Sequence, residues 1–370
     1  MTLTATRPTW HSDPVLRGVV DATEDLLASA GPRVRVTEVT SPGFIGRNGA
    51  WVLALDSGER VFAKQISPDK AGPAAFDRSI AFASFALKHP LHAPPGPRLI
   101  SSCRERDLLV FEHCPGVSLA QLLVDERIPA HFSAGTGRLL GRLHSGPVEA
   151  LARTYHPSPP VPALQEGIPQ ERYVEFTLAE IRFWAELQQD STLVQAAADL
   201  RHWESEHQTA PIHGDLRLDQ FHLRDAELRV LDWEEFGRGD PARDLGTLAG
   251  EWIYRAVLDV VTSRAGAPAP PLQFDSVAAT ERITERMHHL APQIRQMWTA
   301  YRAQIARADD ELAVRATAHL GWHLVDRSIA RASLVAKLPG IERAAAGVGR
   351  KILLTPGRYA AALGFEEFTS

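Results

Sequence analysis

Apolar and polar positions alternate along this chain with two different periods, and the period changes near residue 116. The stretch "DPVLRGVVDATEDLLASAG" (13–31) predicts a helix: Asp13 caps it, Pro14 takes the first helical position and Gly31 stops it. Period-two alternation follows in "RVRVTEVT" (33–40), "GAWVLALDSG" (49–58) and "RVFAKQIS" (60–67), which predict strands. The Asp56-Ser57-Gly58 turn makes the last two a hairpin. The helical period returns in "AAFDRSIAFASFALKH" (74–89) and ends before Pro90. After a Pro-rich connector, residues 98–116 read as two further strands around a charged turn at 104–107. Residues 13–115 are thus expected to form a small antiparallel sheet with one helix packed on it.

From Ser118 onward helices dominate. "SLAQLLVDE" opens on a Ser cap, and "SAGTGRLLGRLHSG" puts Leu139, Leu140 and Leu143 on one face. A Pro-rich loop (156–169) precedes two amphipathic helices expected over 170–190 and 192–207. A further helix from Leu248 and several more up to about residue 345 complete the chain, with the Pro-rich segment 265–273 expected as a surface connector. "FHLRDAELRVLD" (221–232) reads as a short hairpin around the turn Asp225-Ala226-Glu227.

Composition narrows the class. A chain of 370 residues suits one two-lobed unit or two domains. The 44% apolar and 23% charged residues are ordinary for a globular protein, and a net charge of −5 gives no basic field for nucleic acid. No stretch approaches the roughly 20 apolar residues of a membrane span. Two cysteines, Cys103 and Cys114, make neither a disulfide framework nor a zinc site and read as packing residues. With an N-terminal segment that lacks a signal-peptide pattern, this predicts a cytoplasmic protein.

Chemistry concentrates in "APIHGDLRLDQFHLRDAELRVLDWEEFGRGDPARDLG" (210–246). Asp215 precedes the hairpin, Gln220 enters its first strand and Asp232 ends its second. Three hard oxygen donors brought together suit Mg²⁺, which keeps several waters and binds substrate phosphates. A separate carboxylate can then accept a hydroxyl proton. Upstream, "SPGFIGRNGAW" is a Gly-containing turn, with Gly46 and Asn48, whose backbone N–H groups can cover phosphates. Lys64 follows in "VFAK". Gly turn, strand Lys, loop Asp, amide and second Asp are the parts of phosphoryl transfer on the protein-kinase plan. His213 reads as a structural support of the loop. Asp240 and Asp244 read as partners in an ion pair beneath the site.

"HGDLRLDQF" together with "LDWEEFGRGDPARDLG" resembles the aminoglycoside phosphotransferase and choline-kinase-like family. The order of strand Lys, "LLVFEHCPG" hinge, "GRLLGRLH" helix and paired motifs follows that family along much of the chain. The resemblance implies an α+β, bilobal protein-kinase-like fold. It implies an N-lobe over 13–115 with an antiparallel sheet plus helix, and a mainly helical C-lobe over 116–370. It implies ATP and Mg²⁺ as cofactors. It also implies that Asp215 is the catalytic base, that Gln220 and Asp232 hold the metal and that Lys64 holds the α- and β-phosphates. Backbone groups around Glu112–Cys114 receive adenine, Asp244 braces the catalytic loop, and His213 and Arg217 support the site. Within the family, "GRNGAW…VFAK", "HGDLRLDQF" and "DWEEFGRGDPARDLGTLAGEW" most resemble the kinase subunits of class V lanthipeptide synthetases. That likeness implies phosphorylation of Ser/Thr in a ribosomal precursor peptide, with elimination by a separate partner lyase.

Two departures bear on these expectations. Gln220 stands where the family has Asn, one methylene longer, which moves the amide oxygen by about 1.5 Å. The helix 74–89 lacks the Glu that the kinase plan pairs with the strand Lys; Asp77 is its only acid. Either Asp77 substitutes, or Lys64 is positioned otherwise, or the chain is impaired as a catalyst. Two alternatives follow: a kinase for a small aminoglycoside- or choline-like alcohol, for which the acids of "DWEEF" could supply a cationic-substrate pocket, and a non-catalytic leader-peptide-binding scaffold.

Overall fold

The computed structural model describes residues 9–41, 48–154, 156–261, 276–306 and 309–365. Gly46 and the Pro-rich connector 265–273 lie outside the described residues. The chain divides into two compact units, one made of Met1–Lys88, Pro95–Val117 and His222–Glu235, the other of His89–Pro94, Ser118–Phe221 and Phe236–Ser370. The hairpin read at 221–232 therefore belongs almost wholly with the N-terminal sheet rather than with the helices that flank it in sequence.

In the first unit, β1 (Val36–Thr40), β2 (Gly49–Leu55), β3 (Arg60–Gln65), β4 (Leu99–Cys103) and β5 (Leu108–Glu112) form an antiparallel sheet in the order β1-β2-β3-β5-β4. Alternation along the strands sends side chains to two faces. Leu53, Leu55, Val61, Ala63, Leu108 and Val110 face the helix Pro14–Ala30, packing on Val19, Val20 and Leu27. Leu109 and Phe111 face the helix Ala75–Lys88, packing on Phe76 and Ile80. Two helices thus cover the sheet, one on each side, where the sequence led us to expect one. An apolar stripe announces that a helix packs but not what it packs against. The first helix starts as its local code dictates, with Asp13 accepting from the backbone N–H groups of Val15 (2.9 Å) and Leu16 (3.2 Å).

Three short strands complete this unit: β6 (Val117–Ser118), β8 (Phe221–Arg224) and β9 (Glu227–Val230), ordered β6-β8-β9, with β7 (Ala210–Ile212) lying between them in sequence. Asp225 (φ 50°) and Ala226 (φ 64°) both occupy the left-handed region, as a two-residue type I′ hairpin turn demands. Val230 N–H donates to Pro95 O at 2.8 Å, and Trp233 stacks on Phe82 with ring centroids 3.6 Å apart, so the chain beyond β9 is tied to the sheet and its second helix.

The second unit is mainly helical. Its longer helices are Ala130–His144, Leu178–Gln189, Ser191–Glu206, Pro241–Leu258, Ser276–Arg302, Leu312–Ala332 and Gly340–Leu354. One core joins Phe183, Trp184, Leu187, Leu193, Ala197 and Leu200 to Ala318, Trp322 and Val325. The helix expected over 170–190 is two pieces, Gln170–Tyr173 and Leu178–Gln189. Thr177 and Glu180 form a capping box, with Thr177 Oγ1 accepting from Glu180 N–H at 3.1 Å and Glu180 Oε2 accepting from Thr177 N–H at 2.8 Å, and this starts the second piece afresh. β7 pairs antiparallel with β10 (Gly237–Gly239), so this pair frames the residues between Ile212 and Gly237. No helix among the described residues is long and apolar enough to cross a membrane.

Candidate active site

Each unit carries its own cluster of the residues singled out in the sequence. In the first, β3 places Lys64 opposite Ala50 of β2 and Leu109 of β5. Its neighbours in sequence alternate to the other face, so the long side chain leaves on the side of Leu109, and only 11% of it is exposed. Lys64 Nζ pairs with Asp232 Oδ1 and, at 2.7 Å, with Glu234 Oε2. Glu234 also accepts from Asn48 Nδ2 at 2.5 Å, and Asn48 Oδ1 accepts from Ser67 N–H at 2.9 Å. Burial on its own lowers the Lys64 pKa, but the two carboxylates outweigh it and hold the ammonium above its usual 10.5.

Glu234 is the residue the sequence reading missed. The helix Ala75–Lys88 has no Glu for Lys64, and its Asp77 is exposed and accepts from Arg104 Nη2 at 3.1 Å. Lys64 is positioned otherwise, by an acid two residues beyond Asp232. The next acid, Glu235, is buried and pairs with Arg78 of the same helix. The two glutamates of "DWEEF" are therefore held by partners inside this unit, while its aspartate, Asp232, stays partly exposed. The one signal available in the sequence was a polar Glu-Glu pair set between the buried Trp233 and Phe236.

Asp232 itself sits at φ 68°, a left-handed conformation that Asp and Asn tolerate far better than branched residues. Its side chain keeps 34% of its surface open. Glu112, at the end of β5, is exposed and accepts from Arg98 Nε at 2.9 Å, while Cys114 is buried and burial pushes its thiol pKa up.

In the second unit the loop after β7 carries Asp215. Gly214, at φ 91°, makes the sharp turn that side-chain-bearing residues disfavour. The turn is fixed from below by Asp244, in the first turn of the helix Pro241–Leu258: its Oδ2 accepts from His213 N–H at 2.7 Å and its Oδ1 from Gly214 N–H at 2.9 Å. Asp244 is fully buried. Burial works to raise its pKa, yet hydrogen bonds from His144 and from the loop outweigh it and hold the carboxylate below its usual 3.8. Asp240 pairs instead with Arg315 (2.9 Å), and Arg243 with the buried Glu204, so the acids of "GDPARD" each have a separate partner. His213 is completely buried.

Asp215 follows this braced turn directly, and its side chain is 23% exposed, with Arg217 Nη1 at 3.8 Å. Its charge reaches the buried Arg243 and the half-buried His156. Arg217 is also 3.3 Å from Asp219, and its N–H donates to Gln220 Oε1 at 2.8 Å. Gln220 is buried among Leu218 and Phe221, so its extra methylene is spent on closing the loop onto itself.

No group of three or more His, Cys, Asp or Glu among the described residues could alone hold a metal ion. Oxygen donors of the type that phosphate-bound Mg²⁺ takes occur in each unit by itself: a partly exposed carboxylate at Asp232 in the first, and in the second a carboxamide oxygen at Gln220 with a second lone pair beyond its Arg217 bond.

Comparison with known proteins bears on both clusters. Residues 46–269 match the profile of the phosphotransferase enzyme family (APH), a span that includes Lys64, Asp215 and Asp232. No curated protein matches the chain. Among solved structures, the chain is similar to an amicoumacin kinase in complex with AMP-PNP, Ca²⁺ and Ami, at 15% identity and TM-score 0.53, covering 93% of this chain and 96% of that one. It is also similar to a choline/ethanolamine kinase family protein from Mesorhizobium loti, at 14% identity and TM-score 0.52, covering 96% and 97%. At such identities the likeness speaks for the fold, an α+β kinase-like one with an antiparallel sheet and a helical half.

Proposed function

The chain belongs to the phosphotransferase enzyme family, and from that premise we propose that it transfers the terminal phosphoryl group of ATP to an alcohol, Asp215 accepting the proton of the attacking hydroxyl. The observation that carries this reading is the Asp215 carboxylate: partly open, on a turn whose backbone N–H groups at 213 and 214 are fixed by one buried carboxylate. A base held at a set position contributes through orientation as much as through proton affinity. Lys64, a buried cation with two carboxylate partners, is suited to neutralise nucleotide phosphates. Asn48 belongs to the same cluster and to the Gly-containing turn assigned to phosphate. Asp232 and Gln220 are the residues that would hold Mg²⁺, which when bound neutralises charge on the phosphate oxygens. Backbone groups near Glu112–Cys114 are proposed for adenine.

The acceptor we favour is a Ser/Thr hydroxyl of a ribosomal precursor peptide, with a partner lyase acting afterwards. Support comes from the sequence resemblance of "GRNGAW…VFAK", "HGDLRLDQF" and "DWEEFGRGDPARDLGTLAGEW" to lanthipeptide kinase subunits. A second reading, a small-molecule alcohol, is favoured by the names of the two solved structures above, a kinase of amicoumacin and a choline/ethanolamine kinase family protein. A non-catalytic scaffold loses much of its motive, because Glu234 supplies the anion that the helix Ala75–Lys88 lacks.

The test is incubation with ATP and Mg²⁺, once with a lanthipeptide-type precursor peptide and once with a panel of aminoglycosides and choline-like alcohols, read by intact mass. Addition of phosphate to the peptide is the expected result. Addition only to small alcohols selects the second reading, and addition to neither, with nucleotide binding retained, selects the scaffold.

A further inference from the structure

Beyond the braced loop, the helix Pro241–Leu258 carries a second line of polar groups. Asp244, Thr247, Glu251 and Tyr254 recur at helical spacing, so they share one side of that helix. The helix Leu312–Ala332 lies against it at close range: a methyl group at Gly246 would strike the Ala316 carbonyl, and one at Gly250 the His323 ring. His323 and Arg327, one turn apart, are thereby brought to Glu251.

The His323 Nε2–H donates to Glu251 Oε1 at 2.8 Å. Arg327 Nε comes only to 3.8 Å of the same oxygen, an ion pair without a hydrogen bond. That Nε is buried and has no hydrogen-bond partner among the described residues. The Arg327 guanidinium lies over the Tyr254 ring, 5.7 Å from its centroid, and the Tyr254 hydroxyl donates to Glu342 Oε2 at 2.5 Å, which fixes the ring. A charge and a ring thus orient Arg327 without using its donors, and 33% of its side chain is open. A guanidinium offers five N–H donors in a planar fork that matches a carboxylate. Asp215 belongs to the same neighbourhood: Arg217, 3.8 Å from it, makes its charge felt at Glu251. From Asp244 to Glu251 the helix rises roughly 10 Å.

We propose that Arg327 is a specificity-determining residue that takes a carboxylate of the acceptor; the inference rests on the phosphotransferase reading of Asp215. The substrate class is then an alcohol that also carries an acidic group. In a peptide, that group is an Asp or Glu within about three residues of the phosphorylated Ser or Thr, since extended chain spans about 3.5 Å per residue. A cationic acceptor is disfavoured on the same ground, because Glu251 is shared between His323 and Arg327, and Glu342 is taken by Tyr254.

The test uses Ser peptides matched except for Glu, Gln or Lys three residues to either side of the Ser, beside ω-hydroxyhexanoate and its amide. With ATP and Mg²⁺, kcat/KM for the Glu peptide should exceed that for the Gln peptide about tenfold, the difference between a charge-assisted and a neutral hydrogen bond, and the Lys peptide should be poorest. A preference seen only between the hydroxy acid and its amide assigns the carboxylate to a small acceptor instead of a peptide. Arg327→Gln abolishes the preference, chiefly through KM for the acceptor, and Arg327→Glu inverts it towards the Lys peptide. Arg327→Lys keeps the charge but not the fork, retains part of the preference, and serves where the Gln variant does not fold. Equal rates with the acidic and amide members of both sets overturn the proposal, as does a preference that survives intact in Arg327→Gln. Should the wild-type chain transfer no phosphate, the functional reading falls, and isothermal titration of the same probes decides the site. Tighter binding of the acidic member, lost in Arg327→Gln, upholds it; equal binding, or none, overturns it.

Discussion

Lys64 Nζ donates to Glu234 Oε2 at 2.7 Å, and the two residues are 170 positions apart in sequence. Glu234 is buried, so removing the charge of one leaves the other without compensation. Glu234→Gln keeps the shape and leaves an acceptor for Asn48 but turns a charge-assisted hydrogen bond into a neutral one. The expected result is a rise of about tenfold in the KM for ATP, the difference between a bond to a charged partner and a neutral one, together with a loss of about 3 kcal/mol in stability from breaking a buried pair. Steady-state kinetics and urea melts measure both. An unchanged KM would assign Glu234 to folding alone.

Asp232 and Asp215 should separate in how they fail. Asp232 adopts φ 68°, where Asn is tolerated and Ala costs about 1 kcal/mol. Asp232→Asn therefore loses transfer with the melting temperature preserved, whereas Asp232→Ala loses transfer and also melts a few °C lower. Asp215→Asn lies on a turn whose backbone is held by Asp244. It should bind Mg·ATP as the wild type does while kcat drops about 100- to 10,000-fold, the worth of a general base. Isothermal titration beside a turnover assay distinguishes them; loss of nucleotide binding in Asp215→Asn would contradict its assignment as a base.

Local codes carried the sequence reading furthest. The Asp13-Pro14 cap, the β2–β3 hairpin at Ser57-Gly58 and the β8–β9 turn at Asp225-Ala226 are each set by residues within a few positions of one another, and each is read directly. The break at Thr177 was harder, because the apolar period runs through it and only the Thr177–Glu180 box interrupts it. Tertiary choices were not legible. Nothing near Lys64 says that its partner is Glu234, since the partner arrives on a hairpin from another part of the chain. Nothing near His144 says that its ring bonds a phenol 157 positions away and a carboxylate 100 positions away. The motif "HGD…D" names the residues of the loop, but what holds the loop is decided by helix packing.

Gln220 bonds the backbone of its own loop through Oε1, and a carbonyl oxygen can accept twice. Gln220→Ala should therefore lower stability by about 1 kcal/mol through the lost buried bond. If the second lone pair serves Mg²⁺, the Mg²⁺ concentration at half-maximal rate rises as well. A magnesium titration beside a thermal melt checks both, and a shift in melting temperature alone would make Gln220 a brace of the Arg217 turn and nothing more.

The pH dependence of stability follows from two buried carboxylates of the helical unit. Burial works to raise the pKa of Glu204, but its ion pair with Arg243 outweighs it and holds the group at about 2, against an ordinary 4.5. Burial likewise works to raise Glu251, and its hydrogen bond with His323, together with Arg327, takes it to about 2. A depressed folded-state pKa means that the unfolded chain binds the proton first. The stabilisation is therefore complete above about pH 4.5 and is lost as pH falls from there towards 2. The melting temperature should fall steeply between pH 5 and pH 3. Glu204→Gln removes one of the two titrating groups and leaves Arg243 buried beside a neutral amide. It should melt lower than the wild type at pH 7, by an amount equivalent to about 3 kcal/mol, and lose less on acidification. Wild-type and variant curves that run parallel between pH 5 and 3 would show that the Glu204–Arg243 pair does not carry the acid sensitivity.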